Sequence, residues 1–198
     1  MRKPAELRKA EIVTTVLDLA DRIGPDRVTT GAVASTIGVS QAALFRHFPT
    51  KAAMWLAVAD HVTGELTTAW GNALALADEP VGGLEALVAA QLGQIMVKPA
   101  LPMLLFSREL NVGNEDLRAA FRGLLMKFQA LIVTEVTRGQ DAGCLRRDVA
   151  PADAAVLLTS LVQGMAIRWS LGARDFSLIE EGARLLEVQL RLLAVKGD

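Results

Sequence analysis

The stretch Thr29-Thr30-Gly31-Ala32-Val33-Ala34-Ser35-Thr36-Ile37-Gly38-Val39-Ser40-Gln41-Ala42-Ala43-Leu44-Phe45-Arg46-His47-Phe48 decides the fold. It reads as two short helices around a tight turn. Thr29 is a good N-cap, its hydroxyl placed to accept the backbone N–H near Ala32. Val28 and Val33 bracket that cap as a hydrophobic staple. Gly38 supplies the positive φ that ends the first helix, and Ser40 caps the second. Val39, Leu44 and Phe48 point inward. Gln41, Ala42, Ala43, Arg46 and His47 are left facing out. This pattern predicts a helix-turn-helix whose second helix, running to Phe48, enters a DNA major groove. A plain helical hairpin of a bundle is the competing reading, and the agreement of cap, staple, glycine and exposed Arg46-His47 argues against it.

Working outward, Pro49 ends the second helix. Thr50 caps the next one, whose first residue, Lys51, is placed to reach a phosphate. On the other side, Ile12, Val13, Val16, Leu17, Ala20 and Ile23 repeat at a helical period that stops at Gly24-Pro25. Arg2, Lys3, Arg8 and Lys9 crowd the start of that helix, either as an arm along phosphates or as an ordinary solvated terminus.

The run Ile37-Gly38-Val39-Ser40, with Leu44-Phe45-Arg46-His47-Phe48-Pro49-Thr50-Lys51, resembles the TetR/AcrR family of bacterial transcriptional repressors. The likeness covers roughly the first quarter of the chain. It implies DNA contacts from Thr29, Thr30, Ser40, Gln41, Ala42, Ala43, Phe45, Arg46, His47 and Lys51. One departure stands out. The family usually carries Tyr at the position of Phe45, with its hydroxyl on a phosphate, and this chain contains no Tyr at all.

Net charge is −1. Residues 1–51 hold eight Lys/Arg against five Asp/Glu, and the remainder hold thirteen against seventeen. A modestly basic head on an acidic body suits DNA contact through one end. Hydrophobic residues make up 52% of the chain, so part of the apolar surface is expected to meet a partner chain or a ligand. The N-terminus is too polar for a signal peptide, and no uninterrupted apolar run is long enough to cross a bilayer. Cys144 is the sole cysteine, which fits a reducing cytoplasm.

Beyond Lys51 the spacing predicts helices over 51–77, 84–97, 103–110, 114–140, 151–171 and 177–195, with Asp78–Gly83 and Lys98–Pro102 as breaks. Strand-like alternation is absent. The expected fold is all-α with about nine helices, a three-helix DNA-binding domain over 1–50 and a ligand-binding and dimerisation domain over 51–198.

No enzyme constellation appears, and no cofactor or metal is expected. His61/Glu65 is an i,i+4 pair without a further ligand, so a surface pair outweighs a metal site. Cys144 lacks an activating His. Trp70, Met96, Met103, Phe106 and Phe128 are either core or the lining of an apolar cavity, with Arg108, Glu109, Asn111 and Gln163 as polar candidates nearby. The resemblance favours the cavity, because such regulators release DNA when a small molecule fills the body. The last helix, 177–195, carries more apolar surface than one buried face requires. Leu161, Met165, Trp169, Leu186 and Leu190 are therefore expected to pair across a two-fold axis, giving a homodimer for a palindromic operator. The alternative function is a DNA-bound interaction protein without an effector, as in the family's nucleoid-associated division inhibitor.

Overall fold

The computed structural model describes residues 4–107, 110 and 112–195, without the side chain of Phe106. Arg2, Lys3, Arg108, Glu109 and Asn111, named above as candidates, lie outside the described residues.

Among the described residues nine α-helices follow one another. They are α1 (Ala5–Ile23), α2 (Thr30–Thr36), α3 (Gln41–Phe45), α4 (Lys51–Ala75), α5 (Pro80–Val97), α6 (Ala100–Phe106), α7 (Glu115–Asp141), α8 (Pro151–Leu171) and α9 (Leu178–Leu193). A single 3-10 turn, Pro25–Arg27, separates α1 from α2. Among the described residues the only β-type pairing is an isolated bridge between Leu145 and Ala194.

The chain forms two compact units, residues 1–65 with 98–123, and residues 66–97 with 124–198. The first therefore takes in more than the helix-turn-helix, because α6 packs on α1 and on the 3-10 turn. Ser107, just past α6, donates its hydroxyl to Asp26 of that turn and accepts the backbone N–H of Leu110 at 3.1 Å. The core of this unit is built from Ile12, Val16, Ala20, Val28, Val33, Leu44, Met54, Trp55 and Val58.

In the second unit α9 packs on α5 and α8, and α5 packs on α8. Gly182 allows the close approach of α9 to α5, since a Cβ there would lie 2.2 Å from Leu92 Cδ1. By length and composition α5 and α8 would each suffice to cross a membrane, but their apolar residues Leu84, Leu87, Leu92, Leu158 and Val162 are core.

Two helix starts differ by three or four residues from the sequence expectation, and α6 ends at Phe106 rather than Leu110. Helix α5 begins at Pro80 rather than Leu84, with Gly82-Gly83 inside the helix. Proline suits a first helical position, where its missing N–H costs nothing. Gly83 is required by packing, because a Cβ would stand 2.5 Å from Glu135 Oε2 on α7. Likewise α6 starts at Ala100, not Met103, because Pro102 falls in its first turn, where no intrahelical N–H bond is lost.

Candidate nucleic-acid interface

The helix-turn-helix is fixed by three backbone devices. The Thr29 hydroxyl accepts Ala32 N–H at 3.1 Å, and the Ser40 hydroxyl accepts Ala43 N–H at 3.2 Å. Between them Gly38, at φ 69°, closes a Schellman turn: Val39 N–H reaches Ala34 C=O at 2.9 Å and Gly38 N–H reaches Ser35 C=O at 3.2 Å. Val28, Val33 and Leu44 are fully buried, and Phe48 nearly so, which anchors both helices on the core. Val39 is only half-buried.

The second helix is shorter than expected. Its α-helical residues end at Phe45, and Arg46-His47 form a turn in which His47 and Phe48 N–H both bond Leu44 C=O. Pro49 enforces this early stop, since it disfavours helical geometry at Phe48. Gln41, Ala42, Phe45 and Arg46 are exposed, while Ala43, His47 and Lys51 are half-buried. Phe45 shows 39% of its surface, so its ring is presented rather than packed away. Thr29 and Ser40 are exposed beside them, Thr30 is half-buried, and Gln41 Nε2 donates to Thr30 Oγ1 at 2.7 Å. Thr50 accepts Ala53 N–H at 3.0 Å, so Lys51 opens a capped helix.

Charge compensation separates the cations. On α1, Arg8 bonds Glu11 at 2.7 Å and Lys9 bonds Glu6 at 3.1 Å. Arg46 and Lys51 have no carboxylate partner among the described residues. Uncompensated cations beside exposed hydroxyls and an exposed amide make a surface suited to phosphate oxygens and base edges.

The His61/Glu65 pair forms, with Nε2 to Oε1 at 3.3 Å. Lys98 pairs with the other carboxylate oxygen of Glu65. Burial, together with the nearby Lys98 charge, holds the His61 pKa below its ordinary value, and burial lowers that of Lys98. Cys144 is exposed, with its thiol on Gly139 C=O.

Of the cavity candidates, Trp70 and Phe128 come together, ring centroids 5.0 Å apart, both buried. The Trp70 indole N–H donates to Gln91 at 2.9 Å, a partner that sequence spacing did not suggest. Met96 is exposed, Met103 is half-buried, and Gln163 is half-buried on α8.

Of the pairing candidates, Met165, Trp169, Leu186 and Leu190 are buried in the protomer's own core, and Leu161 is half-buried. The apolar surface left outward is a different set. On α8 it runs Leu157, Gly164, Ile167 and Leu171, and on α9 Val188, Leu192 and the following Val195. Steps of three, four and seven residues put the α8 set on one seam and Val188 with Leu192 on another, while Val195 lies past the end of α9.

Comparison with known proteins agrees with this geometry. Residues 12–58 match the family model described as bacterial regulatory proteins, tetR family. Residues 81–193 match that of the BetI-type transcriptional repressor, C-terminal. The nucleoid occlusion factor SlmA of a Marinomonas species is 25% identical over 157 residues, 79% of this chain and 80% of that protein. A transcriptional regulator from Saccharomonospora viridis, solved in complex with choline, superposes with a TM-score of 0.85 at 21% identity, covering 97% of this chain and 100% of that one. FadR from Bacillus subtilis, solved with stearoyl-CoA, gives 0.80 at 12% identity, covering 91% and 97%.

Proposed function

Because the chain belongs to the TetR family of bacterial regulatory proteins and is a DNA-binding transcriptional regulator, we propose that it acts in the cytoplasm as a homodimeric repressor. On this reading it leaves a palindromic operator when a small apolar or amphipathic effector occupies the body. The observation that carries the DNA half is the capped, exposed surface of α2 and α3 with Arg46 and Lys51 uncompensated beside it. Arg46 and Gln41 meet base edges, while Thr29, His47 and Lys51 grip phosphate. Two copies, joined through the outward seams of α8 and α9, form a four-helix bundle that sets the two α3 helices about one DNA turn apart, roughly 34–36 Å.

Titration of operator binding against salt tests the division of labour. Lys51→Ala is expected to weaken all sequences alike and to reduce the salt slope by about one per protomer. Arg46→Ala is expected to cost ~1–3 kcal/mol per base contact and to relax preference locally. Equal losses on operator and random DNA for Arg46→Ala would remove it from the reading set.

The effector half rests on the soft and aromatic side chains of the body. Choline and stearoyl-CoA, bound by two proteins of this fold, are the first probes. The effective one should lower operator affinity, and it acts only through its different affinity for the DNA-bound and free forms. Phe128→Leu, which removes one ring of the Trp70–Phe128 pair, is expected to shift effector affinity by about 2- to 10-fold. Operator binding without effector should stay nearly unchanged. If no amphipathic compound moves operator binding, the effector model fails.

The relationship to the nucleoid occlusion factor supports a second reading, a DNA-bound interaction protein without effector. Salt-stable capture of a purified cell-division protein by the operator-bound dimer would favour it.

A further inference from the structure

Thr30 opens α2 and Gln41 opens α3, eleven positions apart, and their side chains meet across the turn. The Gln41 amide Nε2 donates one hydrogen to Thr30 Oγ1 at 2.7 Å. That bond leaves the carbonyl oxygen and the second N–H of an exposed amide open to the outside. An acceptor beside a donor is the complement of one base edge in the major groove. Adenine offers its N6 amino group as donor next to its N7 acceptor, whereas guanine offers two acceptors. Thr30 accepts from the amide, so its own hydroxyl proton remains available for a phosphate oxygen.

We propose that Gln41 reads one adenine in each half-site, and that Thr30 is the positioning residue that holds the Gln41 amide in its reading orientation while bonding the adjacent phosphate. A free glutamine amide turns either way and presents its donors or its acceptor to the same base. The Thr30 hydroxyl removes that choice before DNA arrives, so less ordering is left for the moment of binding. The same hydroxyl links backbone grip to base reading, so correct seating on the phosphate and correct reading of the adenine depend on one another. This rests on the DNA-binding reading above and adds a base and a role to it.

The test is selection from a randomised duplex library by the full-length protein, followed by competition on the selected site. The wild type should enrich a palindrome with a Gln41-dependent adenine in each half. Replacing that adenine by 7-deaza-adenine or by another base should cost the wild type about 5- to 150-fold in affinity, and Gln41→Ala no more than about twofold. Thr30→Ser should keep the discrimination. Thr30→Val, nearly isosteric, should lose most of it with unchanged thermal unfolding, an outcome that loss of packing would not produce. An enriched palindrome with guanine at the Gln41-dependent position, or full adenine discrimination in Thr30→Val, overturns the proposal while leaving DNA binding intact. Failure to enrich any duplex overturns the DNA-binding reading and this proposal with it.

Discussion

The double variant L157E/L192E is expected to be monomeric and to lose about 10²- to 10⁴-fold in operator affinity. Leu157 and Leu192 are 50% and 63% exposed in the single protomer, so neither supports its fold. They sit on the seams that α8 and α9 turn outward, where an apolar surface of this extent calls for a partner. Across a two-fold axis each glutamate occurs twice, placing four like charges in one desolvated seam. Each monomer still carries a complete helix-turn-helix. What it loses is the second half-site, which the dimer reaches at high effective concentration. Sedimentation at micromolar concentration, far-UV circular dichroism and a titration of a single half-site separate these effects. A dimer with full operator affinity would move the seam elsewhere. L186E is a contrasting control: Leu186 is 2% exposed within the protomer, so its charge should unfold the body rather than divide the dimer.

Trp70→Ala should destabilise the protein by about 3–5 kcal/mol, a large share of the ~5–15 kcal/mol that holds a domain together. The side chain is 1% exposed, packs at a tilt against Phe128 and donates to Gln91, so its removal leaves a cavity and takes the partner from a half-buried amide oxygen. Trp70→Phe keeps most of the volume and loses the N–H, for about 1–3 kcal/mol. Chemical denaturation measures both. The outcome also weighs the two readings of this residue. A loss near the upper figure marks a packed core side chain. A loss under about 1 kcal/mol, with effector binding changed, marks the wall of a cavity that is already empty.

The helix-turn-helix was legible because its determinants are local. Caps at Thr29 and Ser40 and the left-handed Gly38 are set by residues within one turn of one another. The early end of α3 follows from Pro49 by the same local rule, although the apolar period through Phe48 masked it. The body was legible in its helices and less so in their faces. Gly82-Gly83 reads as a break, and only the proximity of Glu135, fifty-two positions away, shows why Gly83 sits inside a helix. Periodicity revealed that α9 was apolar on more than one side. It did not reveal that Met165, Trp169, Leu186 and Leu190 turn toward the protomer's own core, since that depends on where α5 lies. Asp26 and Ser107 carried no signal at all, being eighty-one positions apart.

The brevity of α3 limits how much text this protein reads. Five residues rise about 7.5 Å along a helix axis, roughly two base-pair steps of DNA. Two of the five are alanines, whose methyl groups sense only a thymine methyl. Each half-site thus spells out few letters, and a genome of ~10⁶ or more positions repeats so short a word many times by chance. The discriminating information has to reside in the interval between two such words. A dimer of the proposed kind works as a ruler on DNA, and inserting or deleting one base pair between half-sites should be more damaging than misspelling either of them.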